Sequence, residues 1–270
     1  MTKISQSAKK GIYLLPNLFT TGALFAGYYS IIASINGDFS IAAIAVFIAA
    51  LLDGLDGRVA RLTNTQSEFG EQYDSLSDLI SFGLAPSLLM YNWSLHSLAD
   101  IHPIMGKIGW LVAFIYAVSG ALRLARFNVQ IGTIDKAYFQ GLPSPAAAAF
   151  VCSFVWVAVD HDFTGESLQF VSLAVTLFGG LLMVTRFRYY SFKTLPFKES
   201  VPFVWILLLV MVFVLLTLAP AKVLFSVSLI YAISGVFMTL YSLKKKRQKK
   251  LESSIQDKDS EDRTKTNPEK

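Results

Sequence analysis

Apolar residues run along this chain in long blocks separated by short polar breaks, and the blocks have the length that crosses a bilayer. Eight of them, at about 14–35, 39–61, 73–92, 107–128, 144–160, 168–186, 201–219 and 221–242, predict transmembrane helices. About 20 residues rising ~1.5 Å each traverse ~30 Å of hydrocarbon, and a helix satisfies its own backbone polar groups where no water can. Asn36-Gly37-Asp38 breaks the first pair, and Pro220 divides the last two so closely that they form a hairpin. The polar start, Met1 to Lys10, precedes an apolar run too long for a signal-peptide core, so the first span reads as uncleaved. No repeat period is visible. The only charge-dense, low-complexity stretch, 244–270, reads as a disordered basic tail. The predicted fold class is all-α, a polytopic transmembrane helical bundle.

Composition sharpens this. Of 270 residues 53% are apolar and 16% charged, with a mean hydropathy of +0.49, whereas a soluble domain keeps about a quarter of its residues charged. The single cysteine, Cys152, sits inside an apolar run and offers neither a disulfide nor a cysteine metal site. Sorting Lys and Arg by loop puts 22 of 24 on one side of an eight-span arrangement and only Lys107 and Lys222 on the other. By the positive-inside rule both termini then face the cytoplasm, as a multi-pass protein of the inner membrane. The net charge of +5 is therefore topological and suited to anionic headgroups rather than to nucleic acid.

Ionisable groups near a membrane core are costly and usually functional. Asp53 and Asp56 lie one helical turn apart at the end of the second span, and Asp74 and Asp78 lie one turn apart at the start of the third. A short connection packs the two helices antiparallel, so the four carboxylates converge just below the cytoplasmic interface. Four unpaired carboxylates would repel one another, and two divalent cations would neutralise them. Oxygen ligands suit Mg²⁺ or Mn²⁺ rather than Zn²⁺, and a two-metal site is the arrangement used for displacement at phosphorus. Gly57, Ala60 and Gly70, each one turn from an aspartate, keep the adjoining faces free of bulk. Arg61 could hold a phosphate oxygen.

The full string runs Asp53, two residues, Asp56-Gly57, two residues, Ala60-Arg61, eight residues, Gly70, three residues, Asp74, three residues, Asp78. It resembles the signature of the CDP-alcohol phosphatidyltransferases, D-x2-D-G-x2-A-R-x8-G-x3-D-x3-D, at all eight fixed positions. The resemblance implies a six-helix core over about 1–190, followed by two further helices over 191–243 and the tail. It implies that Asp53, Asp56, Asp74 and Asp78 bind two metal ions and that Asp78 also serves as general base. It places Asp56, Gly57, Arg61, Gly70 and Asn17 around the CDP moiety of CDP-diacylglycerol; Pro16-Asn17 is equally readable as ordinary helix-start chemistry. The implied reaction is attack of an alcohol on the β-phosphorus with release of CMP. Family members often form homodimers.

The acceptor must be chosen elsewhere. Arg123 and Arg126, one turn apart and followed by Asn128, could grip a carboxylate or phosphate, or act as snorkelling anchors. Phe139 to Pro145 opens the fifth span with helix-start chemistry of its own, and Arg186 to Lys193 mixes aromatic and basic residues as an interfacial belt does. Together these strings resemble the integral-membrane bacterial phosphatidylserine synthases, which implies L-serine as acceptor; phosphatidylglycerophosphate synthases, with glycerol 3-phosphate, are the alternative. An ion-coupled transporter is the reading from another class, but it would carry midplane carboxylates and inverted repeats, and it would release no CMP. His96, His102 and His161 fall in loops at the other side and are assigned no role.

Overall fold

A computed structural model describes residues 6–129, 138–190 and 203–266. The chain forms the expected helical membrane bundle. Helix α1 (Gln6–Ile35) turns at Asn36-Gly37-Asp38, where Gly37 takes φ +86° and Asp38 N–H caps Ala33 O at 2.9 Å. Helix α2 (Phe39–Thr63) returns against it over buried Ala26, Ala33, Ala42, Ala43 and Ala49, with Ser30 Oγ donating to Ala42 O at 2.8 Å. Small residues allow this close backbone approach, which replaces hydrophobic burial as the source of cohesion in lipid. At its far end Asn64 adopts a left-handed conformation and caps α2, and Ser67 Oγ accepts the Gly70 N–H at 3.1 Å to start α3 (Glu68–Asp78).

The third span departs from the single helix predicted. It runs α3, a π-helical turn Leu79–Leu84, then α4 (Ala85–Trp93). Pro86 is the physical reason: it has no N–H for Phe82 O four residues back, and its ring crowds that carbonyl. The ladder widens instead, with Ala85 N–H reaching Ile80 O five residues back. A 3₁₀ turn (Leu95–Ser97) and the short α5 (Leu98–Ile101) lead into α6 (Pro103–Val129), then α7 (Ser144–Asp160) and α8 (Gln169–Val184). Three-residue strands β1 (Tyr138–Gln140) and β2 (Arg188–Tyr190) pair antiparallel, Phe139 opposite Tyr189, an addition to the helical fold that the hydropathy pattern does not reveal.

Helices α9 (Phe203–Leu218) and α10 (Pro220–Thr266) follow and end the described residues. Four segments, Pro16–Ile35, Phe39–Thr63, Pro103–Val129 and Pro220–Ser242, are long and apolar enough to cross a membrane on their own; Ser144–Asp160 and Gln169–Val184 are apolar but shorter. Within α10 Phe225 stacks on Phe150 of α7 at 5.9 Å, while α9 turns Leu207, Phe213 and Leu218 outward. The region beyond 243 is read from sequence as disordered, whereas the backbone continues as α10 to Thr266. Lys, Arg, Gln and Glu are good helix formers, and extending an existing helix costs far less than nucleating one. Of the sequence-derived assignments, Lys3, Lys136, Lys193 and Lys198 lie outside the described residues.

Candidate metal and phosphate-binding site

Three helices bring the carboxylates together. Ser77 Oγ donates to Thr20 O at 3.2 Å and Ser81 Oγ to Ala23 O at 3.1 Å, clamping the third span to α1, which already packs along α2. This clamp sets Asp74 and Asp78 opposite Asp53 and Asp56. One carboxylate oxygen from each of Asp53, Asp56 and Asp74 lies within 4.8 Å of the others, and Asp78 lines the same cavity with them. Like charges approach this closely only with a cation or proton among them. Thr20 Oγ1 donates to Asp56 Oδ2 at 2.7 Å and fixes that side chain. The Asp74 Oδ1 atom is buried and, among the described residues, has no hydrogen-bond partner. A buried carboxylate oxygen without a partner is costly; together with the hard-oxygen donor set it fits a divalent cation of the Mg²⁺ or Mn²⁺ class.

The carboxylates open into a cavity of about 590 Å³. All the residues assigned to CDP from the sequence reach it: Asn17, Asp56, Gly57, Arg61 and Gly70. A side chain at Gly57 would meet nothing within 4 Å, so this glycine leaves space for a ligand rather than for packing, and one at Gly70 would lie 3.5 Å from Asn17 Oδ1.

Helix α6 closes the cavity on the side facing Asp78. Arg123 interacts electrostatically with Asp78 and Asp53, donates from Nη1 to Ser144 Oγ at 2.6 Å and lies 6.0 Å over the Phe127 ring. Asn128 Nδ2 donates to Ser75 Oγ at 3.0 Å, tying α6 to α3 at the rim. Arg126 is not brought to the cavity. Its guanidinium donates to Gln140 O at 2.7 Å, Val184 O at 3.0 Å and Met183 O at 3.3 Å, capping the C-terminal end of α8. Gly141 makes room for it: the residue sits at φ +81°, and a Cβ would collide with Met183 O and crowd the Arg126 guanidinium.

Pro143 and Pro145 line the cavity and Ser144 orients Arg123, so the string that opens the fifth span belongs to the site. Arg186 to Tyr190 belongs instead to a clip: Phe187 O accepts the Gly141 N–H at 2.8 Å, and Tyr189 Oη donates to Ala232 O of α10 at 3.0 Å. Burial pushes the Tyr189 phenol up, which keeps it a donor. The rest of that string, to Lys193, lies outside the described residues. Thr20 was missed by sequence reasoning; its signal was its place one turn after Asn17 on the same helix face.

A family model for CDP-alcohol phosphatidyltransferases matches residues 13–185. The chain is similar to a protein of Helicobacter pylori named CDP-diacylglycerol–serine O-phosphatidyltransferase, 37% identical over 234 residues, which are 87% of this chain and 94% of the relative. It is also similar to an archaetidylserine synthase of Methanothermobacter thermautotrophicus, 37% identical over 177 residues, 65% of this chain and 69% of that one. A Mycobacterium tuberculosis CDP-diacylglycerol–serine O-phosphatidyltransferase is 38% identical over 142 residues, 51% of this chain and 47% of that protein.

Proposed function

The chain belongs to the CDP-alcohol phosphatidyltransferase family, and we propose that it transfers the phosphatidyl group of CDP-diacylglycerol to the hydroxyl of L-serine, releasing CMP. The observation that carries the chemistry is the convergence of four aspartates, one with an unpartnered buried oxygen, on a cavity whose opposite wall holds a single oriented guanidinium. Serine as acceptor is supported by the relatives named for that substrate, one of which the chain covers almost end to end.

Asp53, Asp56, Asp74 and Asp78 would hold two divalent cations, Mg²⁺ or Mn²⁺, which when bound offset negative charge on the transferring phosphoryl group and at the entering and departing oxygens. Asn17, Gly57, Arg61 and Gly70 surround the CDP moiety, together with Asp56. The serine hydroxyl attacks the β-phosphorus, its proton passes to the Asp78 carboxylate, and the bond between that phosphorus and the CMP phosphate oxygen breaks. Arg123 holds the serine carboxylate while Ser144 and Phe127 fix the guanidinium, and Asn128 borders the same pocket.

Glycerol 3-phosphate drew its support from two adjacent arginines. With Arg126 committed to three main-chain carbonyls, one guanidinium remains, and it matches a carboxylate monoanion better than a phosphate dianion. The lopsided distribution of Lys and Arg supports a cavity and termini on the cytoplasmic face of the inner membrane. Homodimerisation, implied by the family resemblance, belongs to the same proposal.

The test is CMP release from CDP-diacylglycerol by purified protein with Mg²⁺ or Mn²⁺, comparing serine, glycerol 3-phosphate and inositol. Serine alone is expected to drive release, and Asp78→Asn is expected to abolish it. Release driven by glycerol 3-phosphate in place of serine would overturn the acceptor.

A further inference from the structure

We infer that Tyr116, a buried residue of α6 outside the cavity lining, is a positioning residue that aims Asp78 by holding the π-helical turn Leu79–Leu84. The argument begins at Pro86. Phe82 O has no main-chain donor four residues on, because proline has none to give, and Phe82 is wholly buried, out of reach of water. A buried carbonyl that has lost its α-helical donor is stabilised by one from a neighbouring helix. Tyr116 Oη supplies it at 3.3 Å.

Asp78 is the last residue before this turn. A π turn inserts one residue into the α-helical count, so the segment before it is rotated by about 100° relative to the segment after it. The turn thus decides whether Asp78 faces Asp53 and Arg123 while Leu89 and Met90, further along, still face the core.

Contacts between the antiparallel helices bracket this aspartate. Ser75 bonds Asn128 on one side of it, and on the other a side chain at Gly120 would stand 3.4 Å from Gly83 Cα, with the Tyr116–Phe82 bond beyond. Tyr116 has little freedom itself: a Cβ at Gly180 of α8 would stand 3.1 Å from Tyr116 Cα. The inference rests on the proposed role of Asp78 and adds a residue that touches neither substrate nor carboxylate.

Tyr116→Phe keeps the ring and removes only the hydroxyl. The expected result is a kcat for serine-driven CMP release lower by about tenfold or more, because misplacing a reacting group by about 1 Å is that costly. The KM for serine and for CDP-diacylglycerol is expected to hold within about twofold, since Arg123 and the CDP-facing residues are untouched. Mn²⁺ binding, followed by electron paramagnetic resonance without turnover, is expected to weaken several-fold.

Pro86→Ala provides the second readout, because alanine offers Phe82 O a main-chain N–H. In the Pro86→Ala background Tyr116→Phe is expected to have no further effect on kcat or Mn²⁺ affinity, a non-additivity that general loosening would not produce. Wild-type kcat and Mn²⁺ affinity in Tyr116→Phe, or the same loss in both backgrounds, would overturn the inference. If Tyr116→Phe fails to fold, Pro86→Ala is expected to rescue it, and an equally unfolded double variant overturns the idea. Should wild-type protein release no CMP with serine, the proposed function fails, and the Mn²⁺ titrations still decide the role of Tyr116.

Discussion

At the end of the bundle away from the aspartates, Asn92 Nδ2 donates to Ser34 Oγ at 3.0 Å, Ser94 Oγ to Gly165 O at 2.6 Å and Ser97 Oγ to Gln169 Oε1 at 3.1 Å. Each of these side chains crosses to a neighbouring segment and finds its partner there. Among the described residues the neutral Ser172 Oγ is the exception, buried without one. At the aspartate end Thr20, Ser77 and Ser81 make the same kind of cross-helix bond, yet what remains unpartnered among the described residues is a carboxylate oxygen, Asp74 Oδ1, beside the carboxylates of Asp53 and Asp56. An unpaired hydroxyl costs roughly 1–3 kcal/mol, whereas an unpaired buried charge costs far more. Among the described residues the first end thus leaves only a neutral hydroxyl unmatched, whereas the second leaves a charge that a cation would complete.

Neutralising a carboxylate is the most direct way to break that contrast. Asp74→Asn and Asp78→Asn keep the shape and remove a charge. Each is expected to lower kcat by about 10³-fold or more, as the proposed general-base and metal-ligand roles together imply. Because the substitutions also relieve repulsion among the carboxylates, thermal unfolding in detergent without divalent cation is expected to move to the same or a higher temperature. Activity assays paired with melting curves check both halves. A melting temperature that drops with activity would mean that the aspartates serve the fold.

A smaller effect separates the two arginines of α6. Arg123→Ala is expected to raise the KM for serine by about tenfold to a hundredfold, the worth of a charge-assisted bond of ~1.5–3 kcal/mol, while the KM for CDP-diacylglycerol changes little. Arg126→Ala is expected to do the reverse, leaving the serine KM near wild type and lowering the melting temperature as three carbonyls at the end of α8 and in β1 lose their donor. Steady-state kinetics with each substrate varied in turn distinguishes the pair.

That separation shows where the sequence stops being legible. Hydropathy predicts most helix ends within a few residues because the bilayer fixes the apolar length, although α1 begins at Gln6 and α10 runs to Thr266, beyond the apolar runs; the aspartate signature predicts its cluster because helical spacing fixes which side chains share a face. Arg123 and Arg126 are three residues apart, which puts them on one side of α6 but about 60° from each other. Neighbours decide the rest: Ser144 takes one guanidinium and the end of α8 the other. The π turn is similar. Pro86 announces a broken ladder, but only tertiary structure shows that Tyr116 repairs it and that the helix continues rather than stops. The helical course of α10 past residue 243 was hidden for a different reason, because charge density signals exposure and says little about backbone conformation.

The smallest expected effect tests the closed end. Ser94 follows α4 and reaches across to Gly165 O, and Gly165 lies so close to the Trp93 main chain that an added Cβ would collide with Trp93 O. Ser94→Ala leaves the buried Gly165 carbonyl without this donor, at a cost of about 1–2 kcal/mol, read as a lower melting temperature. The bond lies at the opposite end of α4 from the π turn and the aspartates, so kcat and both KM values are expected to stay within about twofold of wild type. If kcat falls as steeply as stability, the two ends are coupled through α4. The distinction between an end completed by packing and an end completed by ligand would then have to give way to a single cooperative helix.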